Sequence, residues 1–246
     1  MSRVRADSLL VVRGLAESRA KARAAIEAGG VTADGRRVAK ASELLDEAAD
    51  LVAAPAHPWV GRGALKLAHA LELWPVPLEG RVVLDVGAST GGFTEVCLAR
   101  GARRVFAVDV GRGQLHPKLV GDARVVSLEG TDARSLDETL VPEAPDLVVC
   151  DASFIGLAKV LPAALGLARP GADLIALVKP QFEVGPDLVG KAGLVKDPGA
   201  RDRAVADVVA FVEGAGWSVQ ATADSPITGG DGNLEHLLHA RKRPLP

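Results

Sequence analysis

Tyrosine is absent from the chain, and aromatic residues as a whole make up only 3% of its 246 residues. Any core must therefore be built from Val, Leu and Ala, and a hydrophobic fraction of 48% is ample for one. Cysteine is scarce too: only Cys97 and Cys150 occur, far apart and with no Cys or His at metal-ligand spacing. This excludes a disulfide framework, disfavours structural zinc and suits a reducing cytoplasm, so no bound metal is expected. Long apolar runs are missing, because each is broken by Lys159, Pro162 or Lys179. The N-terminus carries charges where a signal peptide has an apolar stretch, so neither a leader nor a membrane span is expected. Finally, a net charge of -2 leaves no general excess of positive charge. Any footprint for nucleic acid must be local.

Positive charge is in fact concentrated at the start. Residues 1–40 contain Arg3, Arg5, Arg13, Arg19, Lys21, Arg23, Arg36, Arg37 and Lys40 against Asp7, Glu17, Glu27 and Asp34. Glu43, Asp46, Glu47 and Asp50 then reverse the sign, with no basic residue among them. Two short helices are expected in the basic segment, over 7–13 and 18–28, the second capped by Ser18 and closed by Gly29-Gly30. Val31–Ala33 and Arg36–Val38 flank Asp34-Gly35, a pair suited to a hairpin turn, and Leu51–Ala53 is a candidate third strand. Pro55-Ala56-His57-Pro58 has the character of a linker. The chain thus divides into a small α+β domain over 1–54, a linker over 55–60 and a larger domain over 61–246.

The larger domain reads as alternating helices and strands. A helix is expected near 64–73, followed by strands at 82–86, 105–110, 124–128, 146–151 and 173–178. Helices at 93–100, 157–168 and 201–214 separate them, and two late strands fall near 217–223 and 234–240. Such apolar, β-branched strands with intervening helices imply an α/β fold with a mostly parallel, Rossmann-like sheet covered on both faces.

Asp85-Val86-Gly87-Ala88-Ser89-Thr90-Gly91-Gly92-Phe93 joins the first of these strands to the next helix, where glycines let the backbone approach a ligand at a helix N-terminus. A phosphate-binding Walker loop would need Gly-Lys-Ser/Thr, and a dinucleotide loop would read Gly-x-Gly-x-x-Gly; position 89 is Ser and no lysine follows Gly92. Asp109, with Val110 after it, ends the next strand, where an acid accepts bonds from ribose hydroxyls. Asp132, after the third strand, is placed to receive an adenine amino group. These residues, with Asp151, form the expected site for a nucleoside cofactor.

Four charged residues fall around the same edge of the sheet: Lys66 before it, Asp151 and Lys179 ending strands, and Glu235 opening the last. A ribose 2'-hydroxyl is a poor nucleophile, so methyl transfer to it from a sulfonium needs in-line positioning and handling of the hydroxyl proton. Desolvation and a second lysine nearby would let Lys179 serve as base or orienter, with Asp151 and Glu235 positioning the lysines. An amino-group methyltransferase would carry Asp/Asn-Pro-Pro-aromatic where this chain has Asp151-Ala152-Ser153-Phe154. A carbon methyltransferase would need a nucleophilic cysteine, but strand alternation turns Cys150 away from the face of Asp151, as a small buried hydrophobe. His236 and His239, three apart in a strand, face opposite sides and do not form a metal pair.

These blocks, namely Gly61 to Leu67, Asp85 to Phe93, Val108 to Gly111 with Gly113-Gln114-Leu115, Asp151 to Ile155, Val178 to Glu183 and Gly232 to Glu235, resemble the TlyA (hemolysin A) family of ribosomal RNA 2'-O-methyltransferases. The resemblance spans nearly the whole chain. It implies a class I methyltransferase sheet of the FtsJ/RrmJ type, S-adenosyl-L-methionine as methyl donor and a catalytic Lys66, Asp151, Lys179, Glu235 tetrad. The N-terminal segment, through Arg5-Ala6-Asp7, Arg13 to Ala16, Ser18-Arg19 and Ala28 to Val31, is similar to the alpha-L RNA-binding module. That similarity implies phosphate contacts from Arg5, Arg13, Arg19, Lys21, Arg23, Arg36 and Arg37, and ribosomal RNA or ribosomal subunits as the partner of a monomeric chain. Two other readings are a membrane-active cytolysin and an RNA-binding protein whose methyltransferase domain is inactive. The first has no amphipathic helix with a large basic face to support it, and the intact tetrad speaks against the second.

Overall fold

The computed structural model describes residues 3–244. It divides between Pro58 and Trp59 into two compact units. In the first, β1 (Arg3–Arg5) leads into α1 (Ala6–Val12), and α2 (Arg19–Glu27) follows after a turn. Ser18 caps α2 by accepting from Lys21 N–H at 3.3 Å. β2 (Val31–Ala33) and β3 (Arg36–Arg37) form the expected hairpin, with Asp34 and Gly35 at φ 50° and 75°, the left-handed pair that such a turn requires. β4 (Leu44–Asp46) pairs antiparallel with β1, and β5 (Leu51–Ala53) with β2. The β1–β4 pair has too few residues for a period to show in sequence. Leu9, Leu10, Ala22, Ile26, Val31 and Val38 form this unit's core.

The second unit contains α3 (Gly63–Leu73), β6 (Val82–Val86), α4 (Gly92–Ala99), β7 (Arg104–Asp109), α5 (Pro117–Val120) and β8 (Val125–Glu129). It continues with β9 (Leu147–Cys150), α6 (Leu157–Val160), α7 (Pro162–Leu167), β10 (Asp173–Val178) and α8 (Pro180–Glu183). Last come α9 (Pro198–Gly214), β11 (Trp217–Asp224) and β12 (His236–Lys242). The strands form one seven-stranded sheet in the order β11-β12-β10-β9-β6-β7-β8. β10, β9, β6, β7 and β8 run parallel, while β12 lies antiparallel between β10 and β11. Alternation along β9 fills both faces: Val148 and Cys150 pack against α6, α7 and α9, and Leu147 and Val149 against α3 and α4.

Several boundaries differ from the sequence reading. The helix expected over 157–168 is two helices, because Pro162 lacks the N–H that would continue the first. α9 starts at Pro198, three residues early, where Asp197 accepts from Gly199 N–H at 3.0 Å. The last strand begins at His236, so Glu235 precedes it. Trp59 and Val60, expected in the linker, pack into the second unit's core.

Candidate functional site

The strand order brings four charged side chains to one edge. Asp151 follows β9 and Lys179 follows β10 at their C-terminal ends. Because β12 is antiparallel, with Val178 opposite His236, its beginning lies at that same edge and delivers Glu235. Lys66 comes from α3, whose start lies close to the cofactor loop and Asp151; a Cβ at Gly63 would stand only 3.1 Å from Asp151 Oδ2.

Lys66 Nζ lies 2.6 Å from Glu235 Oε2 and 3.7 Å from Asp151 Oδ1. Lys179 Nζ lies 2.7 Å from Asp151 Oδ1 and donates to Asp151 O at 3.0 Å and Ser153 Oγ at 2.8 Å. Lys66, Lys179 and Glu235 are 7%, 6% and 4% exposed. Ionised lysines so deep persist only when paired. Asp151 holds both of them, and the set as a whole carries two charges of each sign, which leaves a neutral site for a cationic donor. Ser153, which the sequence reading did not single out, completes the contacts of Lys179; no spacing rule marks such a hydroxyl.

Beside the tetrad, a cavity of about 590 Å³ is lined by Gly87, Ser89, Asp109, Val110, Gln114, Asp132, Ala152, Phe154 and neighbours. It opens where the chain changes direction across the sheet, between β6 and β9, the usual place for a ligand in such folds. Gly87, at φ 82°, passes so close to the neighbouring chain that a Cβ there would lie 2.8 Å from Ala152 Cα. Asp109 Oδ2 accepts from Ser89 N–H and Oδ1 from Gly111 N–H, each at 2.8 Å, leaving one lone pair on each oxygen for ligand hydroxyls. Asp132 accepts from Arg134 N–H and pairs with its guanidinium, which together hold its pKa down at about 2. Ala88, Ser89, Thr90, Gly92 and Phe93 line a smaller gap that reaches Asp151. The cleft around the tetrad shares Ser153 and Phe154 with the large cavity. Apolar walls, ribose-competent Asp109 and neutral surroundings fit S-adenosylmethionine.

Two residues expected to touch the cofactor, Asp85 and Gly91, line neither the large cavity nor the smaller gap. Asp85 is fully buried beneath the loop, accepts from Thr94 Oγ at 2.7 Å, and is pushed by burial up to about 7. Gly91 opens α4 and faces Leu115 and Leu119. Cys150 is a core residue whose thiol burial pushes up to about 12, so it is no nucleophile. His236 and His239 have separate partners, Asp224 at 3.0 Å and Asp173 at 3.1 Å.

The basic residues of the first unit are not equivalent. Arg5 and Arg19 both pair with Asp7, at 3.0 and 2.8 Å, and their guanidinium groups hold its carboxyl well below the usual range although Asp7 is only 1% exposed. Lys21 pairs with Glu17 at 2.6 Å, Arg36 with Glu43 at 2.5 Å, and Arg13 donates to Glu47 O. Arg23 and Arg37 have no ion-pair partner among the described residues. The expected phosphate-binding set is thus partly committed to holding its own domain together.

Sheet order, cavity and charged cleft define a class I methyltransferase. In keeping with this, residues 59–242 match the FtsJ-like methyltransferase family and residues 4–51 the S4 domain. The chain is 48% identical to the 16S/23S rRNA (cytidine-2'-O)-methyltransferase TlyA of Mycobacterium tuberculosis, over 97% of this chain and 90% of that one. It is 33% identical to Hemolysin A of Brachyspira hyodysenteriae, over 96% of this chain and 99% of the relative. A solved structure from Streptococcus thermophilus, provisionally described as a hemolysin, is 38% identical with a TM-score of 0.78, covering 100% of this chain and 90% of that one. The chain belongs to the TlyA family of ribosomal RNA 2'-O-methyltransferases.

Proposed function

We propose that this protein transfers a methyl group from S-adenosylmethionine to a ribose 2'-hydroxyl of ribosomal RNA in the cytoplasm. The observation that carries this is the Lys179 ammonium, buried at the end of an apolar strand and held by Asp151 and Ser153 where the cofactor cavity meets the charged cleft. Gly87, Ser89, Asp109, Val110 and Asp132 would hold the cofactor, which when bound supplies an electrophilic methyl on a sulfonium. Lys179, once its ammonium has given a proton to solvent, orients the 2'-hydroxyl oxygen in line and takes its proton on the neutral amine at Nζ. Asp151 and Glu235 fix the two lysines and balance their charge. The S4-like unit supplies phosphate contacts that bring the RNA to the site. The pyrimidine named for the Mycobacterium relative suggests cytidine as the target nucleotide.

The test is methylation of ribosomal RNA by the purified chain with S-adenosylmethionine, followed by nucleoside analysis. A methyl on the ribose oxygen of cytidine is expected. Methyl on a base atom, or none on RNA, overturns the proposal. Among the described residues no helix is long and apolar enough to cross a membrane, and nothing in the site favours a cytolytic reading.

A further inference from the structure

Glu129 ends β8 and does not line the cofactor cavity, yet its carboxylate anchors one of the cavity's walls. Oε1 accepts from Gln114 N–H at 2.6 Å and Leu115 N–H at 3.0 Å, and Oε2 accepts from Gly113 N–H at 3.0 Å. Three consecutive N–H groups thus converge on one carboxylate, as they do in backbone nests that bind anions. The bonds hold the carboxyl below its usual range, so it stays ionised at neutral pH.

The residues it gathers belong to neither helix nor strand, and in that same stretch Gly111 and Gln114 line the cavity. From there the contacts run on into the glycine-rich loop. Gln114 Oε1 lies 3.3 Å from Ser89 Oγ, His116 N–H donates to Thr90 O at 3.2 Å, and Leu115 packs against Gly91. No regular backbone ladder fixes this wall: Gly111 is held by Asp109 Oδ1 and by Gly130 N–H at its carbonyl, each at 2.8 Å, whereas residues 113–115 are gathered by the side chain of Glu129.

We propose that Glu129 is a positioning residue for cofactor binding, presetting residues 113–115 so that Gln114 meets the nucleoside without having to order on binding. The inference rests on the reading of the cavity as the S-adenosylmethionine site. A preset wall lowers the ordering cost of association and leaves the chemical step alone. Glu129→Ala should therefore raise Kd for S-adenosylmethionine about tenfold or more, with the methyl-transfer rate at saturating cofactor within about twofold of wild type. Glu129→Gln keeps a carbonyl for Gln114 and Leu115 but turns an amide towards Gly113 N–H, so its Kd should fall between the two.

The experiment is calorimetric titration of wild type and both variants with S-adenosylmethionine, at a temperature where circular dichroism shows each folded, with single-turnover rates at saturation. The expected order of Kd with unchanged saturated rates supports the proposal. A lowered melting temperature with wild-type Kd makes Glu129 merely structural and overturns it. If the alanine variant does not fold, the glutamine variant decides in the same way: a raised Kd supports the proposal, an unchanged one overturns it. Failure of the wild type itself to bind overturns the reading of the cavity, and this inference with it.

Discussion

Glu235 and Lys66 are both deeply buried and meet at 2.6 Å, so each is the other's main compensation for lost hydration. Removing one partner of such a pair costs about 3–5 kcal/mol, because the remaining charge stays buried and unpaired. Lys66→Ala should therefore lower the denaturation midpoint sharply, and adding Glu235→Gln should restore much of it; equal losses in the single and double variants would contradict the pairing. Asp85 makes a second claim. Its pKa in the folded chain is about 7, raised by burial, whereas an unfolded aspartate titrates near roughly 3.9. The folded state then binds the extra proton between those values, so this group's contribution to stability is present below about pH 4 and is lost as pH rises towards 7. Asp132 and Asp122 are shifted the other way, to about 2, and change below that window. Asp85→Asn should flatten the fall in melting temperature between pH 4 and pH 7; an unchanged slope would show that another group titrates. The clustering of these four charged residues was legible in sequence because each sits in or next to an element that hydrophobic pattern could locate. The burial of Asp85 was not legible, since a strand-end acid looks the same whether it faces a ligand or the core. Nor were Ser153 and Glu129, whose partners depend on loop paths that no period encodes.

Among the elements, α2 and the β2–β3 hairpin carry the basic residues whose roles the structure separates. Replacing Arg19 would leave Asp7 half-paired at the start of α1 and so confuse binding with folding. Arg23 and Arg37 are the cleaner probes. Arg23→Ala with Arg37→Ala should weaken ribosomal RNA binding and flatten the dependence of log K on log salt by about 0.7–0.9 for each phosphate that is no longer neutralised. Unchanged affinity and slope, measured by filter binding across a salt series, would remove these two from the RNA surface. Helices and strands with strong apolar patterning, such as β6, β10 and α3, were readable to within a residue or two. Shorter pieces were not: β1 and β4 are three residues each, and their pairing joins segments far apart in the chain. Pro162 was visible as a break in an apolar run, yet whether it ends a helix or starts one depends on Leu161 remaining helical.

For the whole molecule, the separation of a basic binding module from a charge-balanced catalytic sheet explains how a chain of net charge -2 acts on a polyanion. In the function proposed above, affinity resides in local arginines and chemistry in the charge-balanced cleft. The measurement that bears most directly on this division is single-turnover methylation of ribosomal RNA by Lys179→Ala and Lys179→Arg, with cofactor affinity measured alongside. Positioned proton transfer is worth about 10²–10⁴-fold, and a guanidinium keeps the charge without shedding a proton near neutral pH. Both variants should bind S-adenosylmethionine as the wild type does and transfer its methyl group at least about a hundredfold more slowly. Near wild-type rates from the alanine variant would contradict ribose methylation through this tetrad.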